Sequence, residues 1–277
     1  MPTIREAYFE ALKLGAPKPV VDFALKEVNG FDYLELTKHF DNDFKDYHRF
    51  IDAIKRYVDG EMIEYIFNKT YFLSLPFYVD KTVLIPRQET EQLVLLCKKM
   101  IEESFTDKEL NIADVCCGSG AIGLSMASIL SQHCYYLTDI SKDALNVSKM
   151  NAVNLKILKN IYFLEGDMLQ PFTDTGIKLD VIICNPPYIS DVNTVEKRTW
   201  EQEPHLALLA DPNTKYYEIL LVQAKKLLNS KFLIAFEIGE DMENALTDLV
   251  KKYYPDCDFF FEEDMYGKTR FLLIKHQ

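Results

Sequence analysis

The chain has 277 residues, of which 48% are hydrophobic and 27% charged. These are globular proportions, and they exclude disordered, collagen-like and coiled-coil rod classes while leaving length for two domains. A formal net charge of -12 argues against tight, sequence-independent binding to nucleic acid, which relies on Lys and Arg neutralising phosphates. No segment approaches the roughly 20 apolar residues of a membrane span, and Met1 to Gly15 lacks the basic start and apolar run of a secretory signal. Six cysteines at 97, 116, 117, 134, 184 and 257 form no C-x-x-C pair and have no His at zinc spacing. They read as reduced thiols of a cytoplasmic protein, with neither a disulfide framework nor a metal site.

From Ile4 to Asn68 the apolar spacing is helical: Val20, Val21, Ala24, Leu25 and Val28 share one face, as do Phe50, Ile51, Ile54 and Val58. Gly15, Pro17, Gly30 and Gly60 cut the region into short helices, and Phe23, Phe31, Tyr33, Phe40 and Phe44 are read as core. From Thr70 the period becomes two (Tyr71, Leu73, Leu75, Phe77, Val79), followed by Thr82 to Ile85, which predicts a hairpin linking two domains. The expected organisation is a helical domain over 1–69, a hairpin linker over 70–86 and a second, larger domain over 87–277.

The remainder opens with a helix over Glu89 to Glu103 and then alternates short strands with helices, the pattern of a parallel sheet with crossovers. Strands are expected at Ile112–Val115, Tyr135–Thr138, Ile161–Leu164, Val181–Cys184 and Phe232–Ile238. Helices are expected at Ala121–Leu130, Lys142–Asn154, Tyr216–Leu228 and Glu243–Tyr254, the second capped by Ser141. Phe259–Phe261 and Phe271–Ile274 have no helix between them and are read as an antiparallel pair at the edge. The fold class is therefore α/β, a Rossmann-like seven-stranded sheet behind a small all-α bundle.

Asp114-Val-Cys-Cys-Gly-Ser-Gly120 ends the first strand and enters a helix, so Cys116, Cys117, Gly118, Ser119 and Gly120 form a loop whose backbone can approach a cofactor. Gly118, Gly120 and Gly123 also spell G-x-G-x-x-G, which leaves NAD open as the ligand. Asp139, about 20 residues on at the end of the second strand, suits the two ribose hydroxyls of a nucleoside. Asp167 and Met168 follow the third strand, where they can meet the amine and the face of an adenine.

Asn185-Pro186-Pro187-Tyr188 follows the fourth strand. A residue before proline is pushed to extended conformations and proline has a carbonyl but no N–H, so Asn185 and Pro186 can present a fixed pair of acceptors to an NH2 group. Tyr188 adds a face for a flat group. An oxidoreductase would need an acid or base where the chain has Asn-Pro-Pro, and a module without catalysis has no use for the Asp139 and Asn185 combination.

The glycine loop together with Asn185-Pro-Pro-Tyr188 resembles the class I S-adenosylmethionine-dependent methyltransferases. Val83-Leu-Ile-Pro-Arg87 with Glu89-Thr-Glu91, Glu203-Pro-His-Leu-Ala-Leu208, Phe236-Glu-Ile-Gly239 and Gly267-Lys-Thr-Arg270 narrow the resemblance to the PrmC/HemK family of release factor glutamine methyltransferases. It spans nearly the whole chain. It implies S-adenosylmethionine as cofactor, held by Cys116 to Gly120, Asp139, Asp167, Met168 and Asn185. It also implies, as substrate, the Gln side-chain amide of a Gly-Gly-Gln loop in peptide chain release factors, with Asn185, Pro186, Pro187 and Tyr188 binding it and Asn185, Pro186 and Tyr188 carrying the chemistry. The helical domain would recognise the release factor, and the enzyme would act as a monomer. Arg87, Thr90, Glu91 and Glu237 are expected either at the pocket or in salt bridges and caps beside it.

Two departures stand out: Cys116 occupies the place of the family's first loop glycine, and Met62 stands where a proline is common. The alternative activity is methylation of an adenine amine in DNA or RNA, since an Asn-Pro-Pro-Tyr motif handles that NH2 equally well once the base is flipped out.

Overall fold

A computed structural model describes residues 1–31, 33–105 and 108–276, with the Tyr33 side chain outside that description. The chain divides into two compact units, residues 1–69 with 197–202 and residues 70–196 with 203–277.

The first unit is helical: α1 (Ile4–Lys13), α2 (Lys18–Asn29), α3 (Tyr33–Lys38), α4 (Tyr47–Val58) and α5 (Ile63–Phe67). Thr3 and Glu6 close a reciprocal capping box on α1, and Gly30 ends α2 in the left-handed conformation that favours glycine. Val21, Ala24, Leu25, Val28, Phe44, Phe50 and Ile54 are buried together, while Phe23, Phe31 and Phe40 pack partly buried on that core. Val58 is an exception to the expected face, 41% exposed at the end of α4. A short helix from a later part of the chain, Lys197–Gln202, belongs to the same unit, where Arg198 lies 4.1 Å over the Tyr57 ring and donates to the Tyr57 carbonyl.

The second unit begins with a small hairpin, β1 (Thr70–Phe72) and β2 (Leu75–Phe77). The expected strand over Thr82 to Ile85 does not form. Leu73 and Ser74 both have positive φ (47° and 65°), a two-residue turn that closes the hairpin early, and the alternation simply runs through it. Asp80 then draws the chain into a turn by accepting from the Thr82 N–H and hydroxyl. Thr82 to Ile85 is left as a loop.

After α6 (Gln88–Ser104) come β3 (Asn111–Val115), α7 (Ala121–Ile129), β4 (Cys134–Asp139), α8 (Lys142–Asn154), β5 (Ile161–Glu165), β6 (Leu179–Cys184), α9 (the Lys197–Gln202 helix), α10 (Lys215–Ala224), β7 (Leu228–Glu237), α11 (Glu243–Tyr253), β8 (Asp258–Glu263) and β9 (Thr269–His276). Helix α10 stops four residues before the expected Leu228, because the chain turns at Lys225–Leu227 and β7 already starts at Leu228. Ser141 caps α8 by accepting from the Ala144 N–H.

The seven-stranded sheet has the order β5-β4-β3-β6-β7-β9-β8. Strands β3 to β7 are parallel and the last pair is antiparallel. Strand β6 is buried throughout, as a central parallel strand covered on both faces must be. The chain runs outward from β3 to β5 and then returns to the other side of β3 with β6. The switch point therefore lies between β3 and β6, where open α/β sheets leave a crevice at their carboxyl edge.

Candidate active site

Five strand ends converge on that edge. After β3, Cys116, Gly118 and Gly120 all have positive φ (58°, 52° and 80°), so three left-handed residues fold the loop tightly before α7. Cys116 shows that the first of these positions accepts a side chain, at the roughly 1 kcal/mol penalty of a left-handed non-glycine. At Gly120 a Cβ would run into Ser148 Oγ and crowd Leu124 and Leu137, on top of the left-handed strain.

Asp139 ends β4 and holds the loop from the side. Its Oδ2 accepts from the Gly118 N–H at 2.9 Å and its Oδ1 from the Ser141 N–H at 2.8 Å. Burial raises its pKa, and those backbone donors with that of Ile140 pull it back. One strand away, Asp114 is 1% exposed; its Oδ2 accepts from the Gly123 N–H at 2.8 Å and its Oδ1 has no hydrogen-bond partner among the described residues. Burial lifts the Asp114 carboxyl to about 7, with the nearby Asp139 charge adding to the rise.

The edge encloses a cavity of about 270 Å³. Cys116, Gly118, Asp139, Asp167, Met168, Asn185 and Pro187 line it, so the structure brings together seven of the residues expected from the sequence. Cys117, Ser119, Gly120, Pro186 and Tyr188 do not line it. Cys117 is buried with its thiol toward Ser148, the Ser119 carbonyl accepts from Asn151, and Gly120 caps α7. Pro186 is buried, and the half-buried Tyr188 ring lies against Gly239, where an added Cβ would come within 3.0 Å of it. Burial pushes the Tyr188 hydroxyl up to about 12.

Further lining comes from Ile140, Ser141, Ala144 and Gly166 beside these residues, from Thr82 to Leu84 and Pro204, Leu206 and Ala207 at the two segments that the family resemblance singles out, and from Lys215, Tyr216 and Ile219 on α10. The α10 positions carry no signal beyond an amphipathic helix. Arg87 and Glu203 tie those two segments together: the fully buried Glu203 carboxylate takes an ion pair from Arg87 and accepts the Ile85 N–H at 3.1 Å.

Thr90, Glu91 and Glu237 lie outside the cavity wall. Glu91 accepts the Leu73 N–H at 2.8 Å, fixing the hairpin turn. Thr90 and Glu237, 4% and 2% exposed, sit behind Asn185. Asn185 Nδ2 donates to Thr90 Oγ1 at 3.3 Å and the Thr90 hydroxyl donates to Glu237 Oε2 at 2.6 Å.

These groups fit a nucleoside carrying a positively charged substituent. The Asp139 oxygens are held by backbone N–H groups and keep lone pairs for a ribose, Gly118 offers backbone where a Cβ would meet nothing within 4 Å, and Met168 and Ile140 give apolar walls. A seven-stranded sheet with its last pair antiparallel and such a cavity at its switch point defines a class I methyltransferase.

Comparison with known proteins places the chain further. The family described as Methyltransferase small domain matches residues 94–202. The release factor glutamine methyltransferase of Bacillus anthracis is 34% identical over 229 residues, 82% of this chain and 80% of that protein. Those of Moorella thermoacetica (39%, covering 73% and 71%) and Chlorobaculum tepidum (30%, covering 90% and 88%) are similar as well. Among solved structures, a METTL16 methyltransferase domain shares the fold at a TM-score of 0.56 and 12% identity, covering 93% of this chain and 91% of that one. The chain belongs to the release factor glutamine methyltransferase family. It is a methyltransferase, and S-adenosylmethionine is its cofactor.

Proposed function

We propose that the protein transfers a methyl group to the side-chain amide nitrogen of the Gln in the Gly-Gly-Gln loop of peptide chain release factors. The observation that carries this reading is the position of Asn185-Pro186-Pro187-Tyr188 at the carboxyl end of β6, with Asn185 and Pro187 in the cavity wall. Support comes from the relatives, which are named for this activity over most of the chain's length.

In this reading Cys116, Gly118, Asp139, Asp167 and Met168 hold the cofactor, with Cys117, Ser119 and Gly120 shaping the loop from behind. Bound S-adenosylmethionine supplies an electrophilic methyl on a sulfonium. An amide nitrogen is a poor nucleophile, because its lone pair is delocalised into the carbonyl, so orientation is the main lever left to the protein. Asn185 Oδ1 and the Pro186 carbonyl accept the two amide hydrogens and direct the nitrogen, while Pro187 and the Tyr188 ring pack on the amide plane. The surplus proton passes to water. The helical unit over residues 1–69 recognises the release factor away from the reacting amide, and the enzyme works as a monomer.

The test is to incubate the protein with methyl-labelled S-adenosylmethionine and a release factor, the same factor with Gln→Ala in the Gly-Gly-Gln loop, or DNA and RNA, and to locate the label by mass spectrometry. Label on the Gln, absent from the Ala form, is expected. Label on adenine would move the substrate to nucleic acid and keep the cofactor site. Asn185→Ala is expected to lower kcat by on the order of 10²-fold with cofactor affinity retained.

A further inference from the structure

A buried carboxyl outside the cavity wall needs a reason, since an ionised group costs several kcal/mol to bury unless hydrogen bonds and charges offset it. Glu237 is such a group. It ends β7 beside the end of β6; Cys184 and Phe236 are in register, so Asn185 and Glu237 are the next residues outward on neighbouring strands. The first turn of α6 lays Thr90 across both.

The backbone here is fixed at two successive residues, by the Tyr217 hydroxyl donating to the Glu237 carbonyl at 2.9 Å and by Arg270 Nη1 donating to the Ile238 carbonyl at 3.2 Å. Its side chain accepts from Thr90, and it is hydrogen-bonded to Asn185 as well. Once ionised, the Glu237 carboxylate can only accept, and the Thr90 proton then points to Glu237. The Thr90 oxygen can then only receive, and the sole donor on the Asn185 side chain is its nitrogen. An Asn185 amide turned the other way would set its oxygen against two acceptors.

We propose that Glu237 is a positioning residue for the methyl transfer: acting through Thr90, it holds the Asn185 amide with nitrogen inward, so that the oxygen is the end presented to the cavity. The consequence for turnover rests on the glutamine reading above, whereas the orientation itself does not. Burial holding the Glu237 carboxyl up at about 7 marks the strength of desolvation there; the Thr90 and Asn185 bonds and the Arg270 charge oppose it. Glu237→Gln replaces one carboxylate oxygen by an NH2, a donor beside the Thr90 hydroxyl and the Asn185 NH2, and removes the charge that fixes the Thr90 proton.

The experiment compares Thr90→Val, Thr90→Ser and Glu237→Gln in the full chain, with turnover on the release factor, cofactor Kd, and the side-chain ¹⁵N–¹H resonances of Asn185, identified by their loss in Asn185→Ala. Thr90→Val and Glu237→Gln are expected to lower kcat by about 30-fold, with KM and cofactor Kd within about twofold, and Thr90→Ser to recover most of what Thr90→Val loses. The Asn185 amide protons are expected to exchange with solvent at least about 10-fold faster in Thr90→Val and Glu237→Gln than in the wild type or Thr90→Ser. Unchanged Asn185 exchange in both disruptive variants, or kcat within about threefold of wild type in both, overturns the assignment. A wild type that leaves the release factor unlabelled refutes the glutamine reading alone, and the Asn185 exchange rates still decide the relay. Where Glu237→Gln fails to fold, the Thr90 pair carries the comparison.

Discussion

Asn151 and Tyr78 pair as two strands would. Asn151 Oδ1 accepts the Tyr78 N–H at 2.7 Å, and Asn151 Nδ2 donates to the Tyr78 carbonyl at 3.0 Å. The same Nδ2 donates to the Ser119 carbonyl at 2.9 Å. One fully buried amide on α8 thus holds two otherwise unconnected parts of the cofactor site, the glycine loop and the segment that leads from the hairpin to the cavity wall at Thr82.

Asn151→Ala removes all three bonds and strands a buried N–H and two carbonyls, each worth about 1–3 kcal/mol when left unmet. Water entering the gap recovers part of that. The expected loss is about 3 kcal/mol in urea unfolding, with cofactor affinity falling about 10-fold in calorimetric titration because the loop loses its brace. A loss below about 1 kcal/mol with wild-type affinity would show that the loop keeps its shape without Asn151.

The glycine loop makes opposite predictions at two of its left-handed positions. Cys116→Gly relieves the backbone but loses the 3.6 Å contact of Sγ with Met168 Sδ and loosens the unfolded chain. These nearly cancel, so stability should move by less than about 1 kcal/mol and cofactor binding should persist. Gly120→Ala combines φ +80° with a Cβ that meets Ser148 Oγ and crowds Leu124 and Leu137, so the Ser148 hydroxyl must turn away while the backbone strain remains. It should cost at least about 2 kcal/mol and abolish cofactor binding. Equal effects of the two substitutions in a thermal melt would contradict this reading of the loop.

The contrast shows what the sequence makes legible. Alternating strands and helices, the loop after β3, Asp139 after β4 and Asn185 after β6 could all be located, because each sits where a strand's period of two gives way to a turn or a helix. Leu73 and Ser74 hide the hairpin turn because neither is a residue that advertises positive φ. Thr90 and Glu237 stand 147 positions apart, and only the crossing of α6 over the β6 and β7 ends brings them together. Tyr216 and Ile219 read as part of one more helix and Lys215 falls just before it, since a cavity wall and a core face use the same spacing.

Arg87 and Glu203 close the other side of the cavity. The Glu203 side chain is wholly buried, and burial raises its pKa against the pull of the Arg87 charge and the Ile85 N–H. Removing the guanidinium leaves a buried charge with one backbone donor. Arg87→Ala should therefore cost about 3 kcal/mol, whereas Arg87→Ala with Glu203→Gln should be more stable than Arg87→Ala alone at pH 7. A double-mutant cycle at pH 7 checks the order, and additive losses would mean that the two side chains are energetically independent.

Asp114 gives the protein a pH dependence of definite sign. Its carboxyl stands at about 7 in the fold against an ordinary 3.8, raised by burial with Oδ1 unpartnered. The folded state holds this proton more tightly than the unfolded chain does, so its contribution is complete below about 3.8 and is lost as pH rises through about 7. Glu237, at about 7, and the raised Asp139 and Glu203 act in the same direction; of the lowered carboxyls, Asp41, Glu218 and Glu240 are exposed and screened, while the buried Asp264 beside Arg270 acts in the opposite sense. Asn at 114 keeps an acceptor for the Gly123 N–H and has no charge to bury, so it escapes the loss that the wild type suffers above neutrality. Urea midpoints at pH 5 and pH 8 should shift in favour of Asp114→Asn by about 2 kcal/mol across that range, at ~1.4 kcal/mol per unit. The same wild-type-to-variant difference at both pH values would mean that Asp114 is ionised and satisfied throughout, and that its unpartnered oxygen meets water in solution.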